Sequence, residues 1–142
     1  MTTSTNQITS GSLQLSGSNK GSSKGEIAVY EATKYMMNEL NLTGSALARA
    51  LRLKVSTVNG WLRKKRIPLG GQQLSNDAES VIHFLAIHRS LEAMLELPEA
   101  QREWLRKNNT DLGARPLDVI GSSFQGLLLV RQYLDFYRGR GA

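Results

Sequence analysis

The chain has 142 residues, 40% of them hydrophobic, and carries a net charge of +6 with a pI near 9.9. It contains no cysteine, which excludes disulfides, thiolate zinc sites and a cysteine nucleophile and fits a reducing cytoplasm. No apolar run approaches the roughly 18 residues that cross a bilayer, no basic segment followed by an apolar stretch opens the chain, and the basic balance points to a polyanionic partner.

Residues 1–25 include 17 Ser, Thr, Gly or Asn, too little apolar surface to offset the entropy of ordering, so a flexible tail is expected there. The run from Gly17 to Gly25 has the composition of a phosphate-binding loop. It lacks the Gly-Lys-Ser/Thr order and a preceding strand. From Glu26 the pattern turns helical. Val29, Met36, Met37 and Leu40 share one side of a helix ending near Asn41, and Thr43 is placed to cap the next.

The segment from Leu47 to Leu62 divides into a short helix, a turn at Arg52-Leu53-Lys54, and a second helix from Val55. Leu47, Ala48, Leu51, Leu53, Val58 and Trp61 are spaced to bury between the two, with Ala48 small enough for a close crossing. Lys54, Val55, Ser56, Thr57, Asn59 and Gly60 are left facing outward. This stretch is also where the charge sits. From Asn41 to Asn76 there is no Asp or Glu, but there are seven basic residues: Arg49, Arg52, Lys54, Arg63, Lys64, Lys65 and Arg66. Removing those seven from the 18 basic residues leaves 11 against 12 acidic ones, so the whole positive excess lies in this quarter of the chain.

A further helix is expected with Asn76 as N-cap and Glu79 three residues on. Val81, Leu85, Leu91 and Leu95 would form its buried stripe, continuing to Leu97. Pro98 suits the first turn of another helix running through Trp104 and Leu105. Gly113 and Pro116 bracket a sharp turn, Leu117 and Ile120 return to the core, Gly126 permits a close helix crossing, and Leu127 to Tyr137 reads as the last helix. No stretch alternates polar and apolar, so the fold expected is all-α.

His83 and His88 are five apart and do not share a helical side as a metal pair would; both read as structural, and no metal or cofactor is expected. Glu92, Glu96, Glu99 and Glu103 read as solvated helix surface. No nucleophile, base and orienting group come together in the sequence, so an enzyme is not expected.

Leu47, Ala48, Ser56, Thr57, Val58, Trp61, Arg66 and Pro68 stand in the places of a helix-turn-helix that resembles the phage Cro/repressor (Xre) class. The turn glycine of that pattern is Arg52 here, and a left-handed arginine costs on the order of 1 kcal/mol. The resemblance implies a DNA-binding domain over residues 26–74. Its second helix would present Ser56 and Asn59 to base edges and Val55 to a thymine methyl. Lys54, Arg63, Lys64, Lys65 and Arg66 would hold phosphates, which position without specifying. Ser56 and Thr57 could also cap the helix and direct N–H groups at a phosphate. Gly60 offers no side chain to read with, so discrimination should be modest.

Trp104-Leu105, Asn109, Leu112-Gly113, Pro116-Leu117, Val119-Ile120, Gly126, Val130 and Leu134 look like the C-terminal toxin-binding domain of Xre/ParS-type antitoxins, here over residues 75–142. The pattern's second glycine is Ala114. The resemblance implies an antitoxin of a type II toxin–antitoxin system. It would neutralise a RES-domain toxin (NAD-consuming or ADP-ribosylating) by blocking its active site, and repress its own operon on operator DNA. Most pattern residues hold the domain together, so toxin binding falls to Tyr133, Tyr137, Arg138, Arg140 and Ala142 near the end, aromatic and arginine side chains being favoured at hot spots. Two arginines would also match a pyrophosphate-binding pocket. A stand-alone dimeric repressor is the alternative reading. A homodimer is expected either way, because one short recognition helix reads few bases.

Overall fold

The computed structural model describes the backbone of residues 16–141 and the side chains of residues 23–139. Among these residues the regular secondary structure is all helical, apart from one isolated bridge between Asn109 and Ala114. The elements are α1 (Ser16–Leu40), α2 (Gly44–Leu51), α3 (Val55–Lys64), α4 (Asn76–Met94), α5 (Pro98–Arg106), α6 (Pro116–Ser122) and α7 (Phe124–Gly141).

Helix α1 begins at Ser16, ten residues before the Glu26 start expected from the pattern; residues 1–15 of the expected tail lie outside the described residues. Local propensity does not favour a helix here, since glycine costs about 1 kcal/mol in a helix interior. Tertiary contacts hold its described side chains instead. Glu26 accepts from Arg66 Nε at 2.9 Å and from the Leu69 N–H at 3.3 Å, while its carbonyl accepts from the Ile67 N–H at 3.2 Å. A Cβ built on Gly25 would lie 3.4 Å from Leu69.

Three successive helices end in a left-handed residue that is not glycine: Asn41 (φ 54°), Arg52 (φ 58°) and Lys65 (φ 59°). The first two close Schellman motifs, the N–H of Leu42 reaching the Met37 carbonyl at 2.8 Å and that of Leu53 reaching Ala48 at 2.8 Å. Thr43 caps α2 as its position promised, Oγ1 accepting from the Ala46 N–H at 3.1 Å.

Helix α4 is capped by Ser75, not by Asn76. Ser75 is the extended residue (φ −68°, ψ 152°) whose Oγ accepts from the Ala78 N–H at 3.2 Å, and Asn76 is already helical. The stripe of α4 runs through Val81, Phe84, Leu85 and Leu91, with the C-cap Leu95 half-buried against the same core, and the helix ends at Met94. Leu97 is then 60% exposed instead of continuing the buried line. Helix α6 forms where Gly113 and Pro116 are expected to bracket a turn and Leu117 and Ile120 to return to the core. Pro116 occupies its first turn and Arg115 pairs with Asp118 at 2.7 Å, but seven residues are too few to show a helical period.

The buried residues form one continuous core across the 74/75 boundary, from Met36, Leu40 and Leu47 through Val58 and Trp61 to Phe84, Leu105, Ile120, Leu127 and Leu134. Helix α1 packs on α4 and α5, α2 on α3 and α6, and α7 on α4 and α6. His88 is buried in this core with its ring 5.7 Å from Tyr35, and His83 lies at its edge, Nδ1 2.6 Å from Arg131 and its ring against Phe124.

Burial holds the His88 pKa below its ordinary 6.5, against the opposing pull of Glu92 and Glu39 and with a smaller push from Arg89. The folded chain therefore binds fewer protons than the unfolded chain below that pH, so stability is full above it and falls as pH drops through it. Denaturant midpoints from pH 7.5 to 5 should decline, and His88→Phe should flatten the decline in that window. An unchanged slope would contradict this assignment.

Candidate functional site

The α2–α3 pair is held by Leu47, Ala48 and Leu51 from one side and Val58 and Trp61 from the other, all buried. The start of α2 lies close on α3: a Cβ built on Gly44 would come 3.2 Å from Leu62 and 3.3 Å from the Asn59 side-chain oxygen. With those residues inward, Lys54, Val55, Ser56, Asn59, Arg63, Lys64 and Lys65 are exposed on one elongated surface, and Thr57 is half-buried. The residue before α3 is Lys54, which makes no side-chain cap bond. Ser56 and Thr57 thus do not cap α3. They sit two and three residues past that cap, in the first turn, where the Ser56 N–H has no helical acceptor and the Thr57 N–H donates to the Lys54 carbonyl at 3.0 Å.

Arg66 stands apart from the other basic residues assigned to phosphate. Its guanidinium is clasped by Glu26, with a further bond from Nη2 to Ser23 at 3.3 Å, and the pairing holds the Glu26 carboxyl below its ordinary range. It fastens α1 to the segment after α3.

The second surface is the far end of α7. Val130, Leu134 and Leu127 turn inward, so Leu129 (49%), Phe136 (58%) and Tyr137 (39%) are exposed. Tyr133 is half-buried and links this end to α5 and the following loop. Its ring is 6.2 Å from Trp104 and 4.8 Å from Tyr137, and its hydroxyl donates to Asp111 at 2.8 Å. Desolvation first, and the bond to Asp111 second, raise the Tyr133 pKa. Tyr137 also meets Phe136 edge-on at 5.4 Å, extending the aromatic row. Arg138 is exposed and donates to Ser90 at 3.4 Å. The Arg140 side chain and Ala142 lie outside the described residues.

Phe136 and Leu129 were not singled out from the sequence. The signal was available, because a buried line through 127, 130 and 134 leaves 129 and 136 on the opposite side of a 3.6-residue helix.

The pattern residues around this end have identifiable jobs. Asn109 Oδ1 accepts from the Leu112 N–H at 3.1 Å, and the Asn109 carbonyl accepts from the Gly113 N–H at 2.8 Å, with Gly113 left-handed (φ 78°). Ala114 closes that loop by accepting from the Asn109 N–H at 3.1 Å and does not need a positive φ, which is why alanine serves where the pattern has a second glycine. Gly126 lets α7 touch α6, since a Cβ there would lie 2.0 Å from the Val119 carbonyl oxygen.

Three arginines tie separate parts of the chain together, and the sequence reading assigned them no such role. Arg52 Nη1 donates to the Ile120 carbonyl, Arg102 Nη1 to Glu39 at 2.7 Å, and Arg106 Nη2 to Leu40 at 3.0 Å. Each acceptor is a carbonyl near the end of a helix, where no intrahelical donor remains.

Residues 90–140 match the family model of the antitoxin Xre/MbcA/ParS C-terminal toxin-binding domain. The matched span starts late in α4 and takes in α5, α6 and nearly all of α7, so it contains the whole aromatic end just described. No curated protein matches the chain. The match supports an antitoxin of the Xre/ParS type whose partner is a toxin. Among the described residues, no helix is long and apolar enough to cross a membrane.

The α6–α7 contact gives a direct packing test. Gly126→Ala forces a methyl group against backbone and should cost about 1–3 kcal/mol or more. Gly139→Ala, with nothing within 4 Å of the added Cβ, should be neutral or slightly stabilising. Urea midpoints of the two variants decide it; equal midpoints would contradict the close crossing.

Proposed function

We propose that this chain is the antitoxin of a type II toxin–antitoxin pair. It neutralises a RES-domain toxin (NAD-consuming or ADP-ribosylating) with its C-terminal end, and it represses its own operon through α2 and α3 used as a helix-turn-helix. The observation that carries the reading is the coincidence of the matched toxin-binding span with an exposed aromatic end on α7.

On the toxin side, Tyr133 and Tyr137 are the anchors and Arg138, Arg140 and Ala142 enter or rim the toxin's active site. Tyr133 is braced by Trp104 and Asp111, so it loses little freedom on binding. Phe136 joins this set by its exposure beside Tyr137. A guanidinium is suited to a site that binds a pyrophosphate, because it forms paired hydrogen bonds with phosphate oxygens.

On the DNA side, Ser56 and Asn59 read base edges and Val55 meets a thymine methyl. Ser56 also directs its first-turn N–H at the backbone, while Thr57 is half-buried with its own N–H held by the Lys54 carbonyl. Lys54, Arg63, Lys64 and Lys65 neutralise phosphates, while Arg66 fastens the frame that carries them. The protein acts as a homodimer, two short recognition helices reading paired half-sites.

Two measurements follow from these roles. With a DNA fragment from upstream of the chain's own reading frame, the logarithm of affinity should fall linearly with the logarithm of salt. Lys64→Gln with Lys65→Gln should reduce the slope by about 2, roughly one per lost phosphate contact. Arg66→Gln should leave the slope nearly unchanged and lower stability instead. A wild-type slope near zero would overturn the phosphate roles.

Deleting residues 138–142 should abolish neutralisation of the toxin while DNA affinity stays within about twofold, a change of only ~0.4 kcal/mol. Continued suppression of toxicity by the deletion variant would overturn the blocking role of the C-terminus.

A further inference from the structure

Arg52 does two things that a turn residue is not required to do together. It adopts the left-handed conformation between α2 and α3 (φ 58°, ψ 40°), which glycine adopts with least strain. Its side chain also leaves the turn and donates to the Ile120 carbonyl, 68 residues along the chain. Glycine would make the same turn more easily, but only a long donor makes the second contact.

The acceptor end is firmly set. Ile120 is fully buried, near the end of α6. Beside it, a Cβ on Gly121 would lie 3.8 Å from the Ala50 carbonyl oxygen, so α6 runs close along the end of α2. Helix α6 is in turn locked to α7 where Gly126 meets Val119. A continuous mechanical path therefore runs from α7 through α6 and the Arg52 side chain to the start of α3.

Arg52 also has somewhere else to go. It lines a cavity of about 370 Å³ that also takes in Asp77 and Glu79 from the first turn of α4. Withdrawal of α6 would leave the guanidinium with room and a counter-charge, so losing the Ile120 contact would not strand it.

We infer that Arg52 is a positioning residue, a latch that holds α3 in register with α6. Displacing α6 or α7 releases the latch and changes how α3 is presented. The latch is a property of the free chain; its consequence for DNA rests on the function proposed above.

Hydrogen exchange on the full chain separates this role from a local one by sign. If Arg52 only makes the turn, Arg52→Gly removes strain, and exchange of amides 53–60 slows or stays the same. If it is a latch, Arg52→Gly speeds exchange of amides 53–60 about tenfold and also speeds that of amides 119–124, while Arg52→Lys, with one donor group, falls between. Slower or unchanged exchange in Arg52→Gly overturns the latch.

A second arm uses the RES-domain protein from the adjacent reading frame, with the upstream DNA fragment as probe. The change in DNA affinity that this protein produces in the wild type should shrink at least fivefold in Arg52→Gly while the two proteins still co-purify; an undiminished change overturns the transmission. If the wild type binds neither DNA nor that protein, the proposed function fails, and the exchange result still judges the latch.

Discussion

Helix ends are the weak points of an all-helical chain of this size, because each leaves carbonyls that nothing in its own helix can satisfy. Here three arginines donate to such carbonyls across long sequence distances: Arg52 to Ile120, Arg102 to Glu39 and Arg106 to Leu40. A hydrogen bond from a charged donor contributes about 1.5–3 kcal/mol when it is sheltered, and each of these also fixes one helix against another. Arg102 and Arg106 hold α5 on the end of α1, and Arg52 holds the α2–α3 turn on the end of α6. Together with the shared apolar core, they make the basic segment and the matched C-terminal region parts of one packed body.

That arrangement gives the charge distribution a structural setting. The acid-free stretch would be self-repelling if its cations were crowded together without relief. Two of its arginines are paired within the chain, the still exposed Arg52 with a carbonyl and Arg66 with Glu26, whose carboxylate is ionised more readily for it. Lys54, Arg63, Lys64 and Lys65 are the ones presented to solvent along α3 and its end. The same division appears on α7, where Leu127, Val130 and Leu134 build the core while Tyr133, Phe136 and Tyr137 continue outward as an aromatic row.

Much of the fold could be read from the residues. The spacing of Leu47, Leu51, Val58 and Trp61 located α2 and α3, Thr43 marked a helix start, Pro98 marked another, and Gly126 marked the close crossing. What escaped was information that is not local. Residues 16–25 look like linker by composition, and the tertiary contacts of Gly25 and Glu26 are made with residues forty or more positions away. Helix α6 is too short for periodicity to register. Ser75 and Asn76 are both good caps by residue type, so only backbone geometry chooses between them. Of the site, the basic residues of α3 were legible as a group, but charge alone could not separate Arg66, which meets Glu26, from Lys65, which is exposed. Phe136 is apolar by type, and only the buried line through Leu127, Val130 and Leu134 shows that its position turns outward.

The central claim is that the C-terminal end of this chain captures and silences a toxin. Co-expression with the adjacent reading frame in a host that the second product arrests tests it most directly. Growth should be restored by the full chain, and the two products should purify as one complex. A chain that neither restores growth nor co-purifies, while still binding its upstream DNA, would contradict the account and leave a repressor with a helical second half.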